Sequence, residues 1–185
     1  MKRKFWSIIN LVFLSVMIVS CSKDDPYAIY EFHLDCPSAL LKYATPQVTY
    51  RDNEGAITFI IPDSEWTETG ISNGITTVVI DGKTVISEPQ RLKRWTKRVR
   101  YDEFPIKYEM RVVYTPKDNV PAGNVNVIEN FAPTLSLNED LWDSEGEVHH
   151  RQLDGSPADV AFGNGTSLAD IISKYQNSWR TVDEK

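Results

Sequence analysis

Ten consecutive residues, 91–100, carry six cationic side chains around one tryptophan, in a chain whose formal net charge is −6. Cations beside aromatic rings can bind anionic polymers such as sulfated glycans or phosphate-bearing lipids. The alternative is a solvated edge strand, whose charges prevent aggregation or pair with acidic residues. The predicted contact surface for an anionic partner consists of Arg91, Lys93, Arg94, Trp95, Lys97, Arg98 and Arg100.

Two other tryptophans, Trp66 and Trp142, stand among polar residues. An exposed indole ring can stack on a sugar or anchor a protein partner. Both are therefore candidate aromatic platforms, although a tryptophan that closes a hydrophobic core could have the same neighbours in sequence.

Late in the chain, histidines and carboxylates lie close enough together to raise the question of a metal site. His149 and His150 are adjacent, with Glu147 and Asp154 nearby, and the stretch 138–147 is rich in acidic residues. Adjacent side chains of an extended chain point to opposite sides, so at most one histidine faces a given ion. No further ligand stands at a His-x-His or Glu-x-x-His spacing, and the acidic residues do not follow the twelve-residue calcium-loop pattern. We expect a solvated acidic loop without a metal or other cofactor, and calcium stays open.

The segment Gly70-Ile71-Ser72-Asn73-Gly74 matches the Gly-x-Ser-x-Gly pattern of a nucleophilic serine. That chemistry needs a strand before the serine and a helix after it, so that the hydroxyl lies on a tight turn. Here a β-branched run at 75–80 follows, which predicts a strand. We therefore expect a glycine-rich loop and no catalytic residue at this position.

The first twenty residues have the pattern of a secretory signal peptide. Met1-Lys2-Arg3-Lys4 is basic, and the apolar stretch 5–19 is short for a membrane span of ~20 residues. It ends in Ile18-Val19-Ser20-Cys21, which resembles the lipobox of bacterial lipoproteins. The resemblance implies that residues 1–20 are removed and that acyl chains on Cys21 anchor the protein to a membrane.

Ser22-Lys23-Asp24-Asp25 follows the lipid-acceptor cysteine. This run resembles the surface-export signal of lipoproteins in one large group of Gram-negative gut anaerobes, and Ser22 is not the aspartate that retains lipoproteins in the inner membrane. The resemblance implies an outer-membrane lipoprotein exposed on the cell surface. Residues 21–27 are expected to form the lipid-anchored tether, and the alternative to an export signal is that the charged run 22–25 is merely a solvated, flexible part of that tether.

Charge and cysteine content exclude two further classes of protein. Removal of residues 1–20 takes away three of the 20 basic side chains and none of the 26 acidic ones, which leaves 17 basic side chains and a net charge of −9. Such an acidic chain is poorly suited to bind nucleic acid, whose phosphates need a cationic surface. If Cys21 is acylated, Cys36 has no partner for a disulfide within the chain, and we expect its thiol to be buried.

Strand-like runs separated by turn signals recur along the mature chain. Asp81-Gly82 predicts a two-residue hairpin between the runs 75–80 and 84–87, with Val78 opposite Val85 and near the centre of the fold. Further strands are predicted at 30–34 (an edge strand), 48–51, 56–61, 107–115, 124–129 and 134–137.

One helix is predicted at about 167–180, where Ser167 and Asp170 can cap a segment of helical periodicity that extends to Trp179. Residues 138–160 are polar and predict a long exposed loop. With no helix expected between the strands, the predicted fold over residues 28–185 is all-β with one C-terminal helix, an antiparallel β-sandwich of immunoglobulin-like type.

These features predict a cell-surface lipoprotein with a non-enzymatic role in binding or adhesion, or as an accessory of an outer-membrane complex. The expected partners are the membrane, through the lipid anchor, and a surface glycan or a protein. The alternatives are a carbohydrate-binding accessory of a glycan-uptake system and a pilus-type or structural subunit. A lipid-anchored hydrolase centred on Ser72 is the remaining hypothesis.

Overall fold

The computed structural model describes residues 26–52, 54–102, 108–143, 145–153, 155, 157–158 and 160–180. The elements are, in chain order, β1 (Tyr27–Pro37), α1 (Ser38–Tyr43), β2 (Ala44–Arg51), β3 (Ala56–Ile60), a 3-10 turn (Asp63–Glu65), β4 (Thr67–Ile80), β5 (Lys83–Tyr101), β6 (Glu109–Pro116), β7 (Val125–Glu129), β8 (Thr134–Trp142), β9 (Val148–Leu153), α2 (Leu168–Lys174) and β10 (Gln176–Arg180). The predicted signal peptide and Cys21 lie outside the described residues. Neither α-helix of the described part is long and apolar enough to cross a bilayer.

The strands form two antiparallel sheets, which confirms the all-β class. The larger sheet has the order β7-β4-β5-β1-β8-β9 and curves as a half-barrel. The smaller sheet has the order β10-β6-β2-β3. β1 therefore lies in the middle of the larger sheet, and the prediction that 30–34 forms an edge strand is wrong.

The core lies between the inner faces of the two sheets. In β1 every second side chain is buried, from Ala28 to Cys36, as the two-residue period of a strand requires. Tyr30 stacks on Tyr108 with ring centroids 6.3 Å apart, and Phe32 contacts Trp179 at 5.4 Å. Each fully buried side chain of this size stabilises the fold by about 1.5–3 kcal/mol relative to an exposed one.

The β4–β5 hairpin confirms the turn predicted at Asp81-Gly82. Both residues have positive φ, 49° and 74°, as a two-residue turn of type I′ demands. Beyond the turn a bulge shifts the register, so that Val78 is opposite Ile86 and not Val85. The shift buries both Val78 and Ile86, whereas Val85 stays 40% exposed, so burial of the larger side chain explains the difference.

The predicted C-terminal helix is correct only in its first half. Ser167 caps α2, and the helix ends at Lys174. The next segment, Gln176–Arg180, forms β10, where Trp179 is opposite Met110 of β6. The strand replaces the helical continuation because it completes the edge of the smaller sheet and packs Trp179 against Tyr30 at 5.3 Å.

Two further segments differ from the sequence-based expectation. The unpredicted helix α1 connects β1 to β2 and buries Ala39 and Leu40. Residues 138–160 are not one loop, because β8 continues to Trp142 and β9 pairs with it. The side chains of β9 are exposed apart from the half-buried Leu153, so the strand has none of the apolar alternation by which strands are recognised in sequence.

A prediction concerns the cap of α2. The Ser167 hydroxyl accepts a hydrogen bond from the backbone N–H of Asp170 at 3.1 Å and donates one to the Asp170 carboxylate at 2.7 Å. Ser167→Ala should lower the free energy of unfolding by about 1 kcal/mol, measured by urea denaturation. Ser173→Ala, in the last turn of the same helix, is the control and should cost less, since Ser173 bonds only to a carbonyl four residues earlier.

The same contacts make this loss depend on pH. The hydrogen bonds from Ser167 hold the pKa of Asp170 below its ordinary value. The carboxylate therefore contributes stability above that ordinary value and loses it as pH falls through the lowered pKa. The difference between wild type and Ser167→Ala should shrink in acid, and a difference that grows would contradict this role of the cap.

Candidate functional site

The basic segment 91–100 occupies the middle of the larger sheet, since β5 pairs with β4 on one side and with β1 on the other. It is therefore not the edge strand that the sequence allowed. Its side chains alternate between two faces, as expected for an extended chain. The face turned away from the core, here called the outer face, carries Arg94, Arg98 and Arg100.

Trp95 belongs to the hydrophobic core. The residue is only 2% exposed, and its indole Nε1 donates a hydrogen bond to Glu65 Oε2 at 2.8 Å. Its ring lies 6.0 Å from that of Phe59 in the smaller sheet. We therefore remove Trp95 from the predicted contact surface, because the alternation along β5 turns it inward between the sheets.

Carboxylates hold two of the arginines. Arg94 Nε and Nη2 donate to the two carboxylate oxygens of Asp35, both at 2.8 Å, and these bonds raise the pKa of Arg94. Arg100 Nε donates to Asp102 Oδ1 at 2.8 Å. At this exposure such pairs contribute about 1 kcal/mol or less to stability, but they fix where each guanidinium lies.

The other cations of the segment differ in what they contact. Lys97 lies over the ring of Tyr50, 5.5 Å from its centroid. Arg91, Lys93 and Arg98 form no hydrogen bond or ion pair with any residue that the structure describes. Arg98 is nevertheless directly opposite Glu31 on the outer face. The predicted basic surface is therefore a mixed one, in which acidic side chains of β1 alternate with the arginines of β5.

A stack of three planar groups stands at one end of the outer face. The rings of Tyr27 and Trp142 are nearly parallel, with centroids 4.5 Å apart and an interplanar angle of 13°. The guanidinium carbon of Arg100 lies 3.9 Å from the centroid of Tyr27. β1 lies between β8 and β5, so Trp142 and Arg100 approach Tyr27 from opposite sides. We call these three residues the Tyr27 column.

The two predicted aromatic platforms thus have different environments. Trp142 is half-buried in the Tyr27 column, and one face of its indole is covered by Tyr27. Trp66 is half-buried against the hydrophobic core, at the start of β4. The structure therefore brings Trp142, but not Trp66, together with an arginine of the basic segment.

Polar side chains continue along the outer face beyond the Tyr27 column. His33 on β1 contacts Glu31 Oε1 at 3.1 Å, Thr96 Oγ1 at 3.2 Å and Asn138 Nδ2 at 3.3 Å. His150 on β9 contacts Asp140 on β8. The outer face can therefore donate and accept hydrogen bonds over four strands, which suits a polar partner better than an apolar one.

The structure also shows where the candidate catalytic serine and the candidate metal-binding histidines lie. Ser72 lies within strand β4, which continues to Ile80, so the strand–turn–helix context of a nucleophilic serine is not met. His149 and His150 point to opposite sides of β9, as predicted: His149 contacts Asp143, and His150 contacts Asp140. Asp154 lies outside the described residues.

Two clefts, of about 340 and 670 Å³, lie away from the Tyr27 column. The smaller lies between β8 and β10, and the larger lies beside the connection from β7 to β8, with Phe131, Phe162 and Tyr175 in its wall. The described residues that line them contribute no charged side chain, so they supply no pair of carboxylates or imidazoles for acid–base chemistry.

Tyr27 is the residue of this candidate site that the sequence analysis missed. It was assigned to the tether 21–27, although it shares the outer face of β1 with Ile29 and Glu31. Alternation from the buried Ala28 onward could have placed it on a strand, but not beside Trp142, which is 115 residues away. Comparisons with protein-family models, with curated proteins and with solved structures found no match.

A prediction concerns the stacked rings. Tyr27→Ala and Trp142→Ala should be coupled in a double-mutant cycle by about 0.5–1.5 kcal/mol in the free energy of unfolding, because each removes the partner of the other. A cycle between Tyr27→Ala and Trp66→Ala is the control and should be additive. Additivity of the first pair would show that the stack does not stabilise the fold.

Proposed function

We propose that this protein is a lipid-anchored binding protein of the cell surface, without catalytic activity, and that the Tyr27 column is the centre of its contact with a protein partner. The observation that carries the proposal is the stacking of Trp142, Tyr27 and Arg100 on an exposed sheet face. These residue types are the ones that most often dominate the binding energy of protein interfaces.

The position of the Tyr27 column also favours binding. Its residues are held on three adjacent strands, with Arg100 fixed by Asp102 as well as by Tyr27. A partner therefore loses little affinity to ordering these side chains, which is the usual cost at a flexible surface. Arg98 lies two residues from Arg100 on the same face and has no ion-pair partner among the described residues, so its charge is available to an acidic group.

The anchor places this surface near the membrane. The lipobox-like sequence supports acylation of Cys21, and β1 begins six residues later at Tyr27. Six residues span at most about 20 Å when fully extended. The Tyr27 column therefore lies close to the bilayer, and a membrane-embedded or membrane-attached protein is the partner that this arrangement favours.

The packing of the two sheets supports a further proposal about the fold. We infer that the two sheets form a β-sandwich of immunoglobulin-like type. Buried residues alternate along β1 and β8 in the larger sheet and along β6 in the smaller one, and aromatic rings of both sheets meet between them. In sandwiches the outward faces of the strands stay available for binding, as the outer face is here.

Localisation is tested by Cys21→Ala. The wild-type protein should have an acylated Cys21 as its first residue by mass spectrometry and should be degraded by protease added to intact cells. Cys21→Ala should keep residues 1–20 or be released in soluble form. Cys36→Ala, the matched control, should behave like wild type, since Cys36 is buried in the core. Wild type with an unmodified Cys21, or with residues 1–20 still attached, would overturn the anchor.

Partner binding is tested by Trp142→Ala and Arg98→Glu. Cross-linking on intact cells of the native host, followed by purification, identifies the partner, and its affinity is then measured with purified components. Trp142→Ala should weaken binding by about 2 kcal/mol, or about thirtyfold. Arg98→Glu should weaken it and reduce its dependence on salt.

The control for charge is Lys83→Glu, the same change at the opposite end of β5. It should leave binding unchanged, and circular dichroism should show that all variants are folded. Loss of binding in Lys83→Glu equal to that in Arg98→Glu would point to net charge and not to the outer face. Unchanged binding in Trp142→Ala would overturn the Tyr27 column as the contact.

A carbohydrate ligand is the second candidate. It is favoured by Trp142 together with planar polar side chains on its own strand, Asn138, and on the adjacent β9, His150 and Gln152. Such side chains pair with sugar hydroxyls while an indole ring covers an apolar sugar face. A glycan array distinguishes the candidates: saturable binding to one glycan class that Trp142→Ala abolishes would support the second and replace the first.

A further inference from the structure

The hairpin that connects β8 to β9 brings together an imidazole and two carboxylates. Ligand atoms of Asp143, Glu147 and His149 all lie within 4.8 Å of one another. The closest pair is Asp143 Oδ2 and His149 Nε2, at 3.1 Å. The three side chains come from a stretch of seven residues, and all are accessible to solvent.

The hairpin backbone fixes the direction of the Asp143 side chain. Its Oδ1 accepts hydrogen bonds from the backbone N–H groups of Glu145, at 2.9 Å, and Glu147, at 3.0 Å. These bonds leave Oδ2 facing His149. They also lower the pKa of Asp143, through the Glu147 N–H first and His149 second.

We propose that Asp143, Glu147 and His149 bind a zinc ion, with water as the fourth ligand. Three protein ligands and one water form a common tetrahedral zinc site. With metal–ligand bonds of about 2.1 Å, neighbouring ligand atoms of a tetrahedron lie about 3.4 Å apart. The Asp143–His149 pair already has nearly this spacing, and the carboxylate of the exposed Glu147 lies within 4.8 Å of both.

The imidazole selects the class of metal. Calcium takes six to eight oxygen ligands, and this hairpin offers too few oxygens around a nitrogen that calcium does not prefer. Imidazole suits zinc and its neighbours among the transition metals. This differs from the expectation of an acidic loop without metal, which the sequence favoured because no further ligand stands at a His-x-His or Glu-x-x-His spacing.

The neighbouring histidine supplies a matched control. His150 differs from His149 by one position, lies on the opposite side of β9 and contacts Asp140 instead. A zinc ion bound through the hairpin should therefore need His149 and not His150. None of the three proposed ligands belongs to the Tyr27 column or to the lipid anchor, so zinc binding is tested separately from the proposed function.

The test is titration of the full mature protein with zinc chloride by isothermal calorimetry. Wild type should bind one ion, and His149→Ala and Glu147→Gln should each weaken binding by more than about tenfold. His150→Ala should bind like wild type. In wild type, zinc should also shift the NMR signals of the His149 ring before those of the His150 ring.

Four results would overturn the proposal. They are no zinc binding by wild type, wild-type affinity in a folded His149→Ala, equal losses in His149→Ala and His150→Ala, and calcium binding in preference to zinc. Thermal unfolding of each variant shows that it is folded. Glu147→Gln keeps the test decisive if His149→Ala unfolds, since Glu147 is exposed at the tip of the hairpin.

Discussion

Strand β1 makes hydrogen bonds along both of its edges, and the rest of the architecture depends on this pairing. One edge pairs with β5 from Ala28 to Pro37, and the other pairs with β8 from Tyr27 to Asp35. Because every side chain of a strand faces one of two sides, this register fixes both faces at once. It turns Phe32 into the core and sets Tyr27 between Trp142 and Arg100. A shift of the β1 register by one residue would move its buried side chains to the outer face and its outer side chains into the core. Neither the core nor the Tyr27 column would then form.

Local features of the fold could be predicted, whereas long-range pairing could not. The Asp81-Gly82 turn and the Ser167 cap each depend on a few neighbouring residues, and both are confirmed. β1 was mistaken for an edge strand because nothing within it reveals that it pairs with residues 55–73 positions away on one side and 99–115 positions away on the other. The helix was extended over Trp179 for the same reason, since only packing against β1 shows that this segment is a strand.

The candidate site shows the same division. The sequence could place all seven residues on one predicted surface, but it could not say that Trp95 turns inward while Arg94, Arg98 and Arg100 face outward. The cations that cluster in the sequence lie on a surface of mixed charge in the structure. Antiparallel pairing places Asp35 opposite Arg94 and Glu31 opposite Arg98. The stack of Tyr27, Trp142 and Arg100 draws on three distant strands, and the single sequence held no signal of it.

The packing of Trp179 has a consequence for how the chain becomes folded. This ring contacts Tyr30 and Phe32 on β1. The core residues of the first described strand are therefore fully packed only when the last described strand is in place. Under the proposed secretion, a chain that passes through a translocation channel from its amino terminus would expose those two rings long before Trp179 emerges. The core around Tyr30 and Phe32 would then be completed only after Trp179 has passed, so the chain would stay unfolded while it crosses the channel.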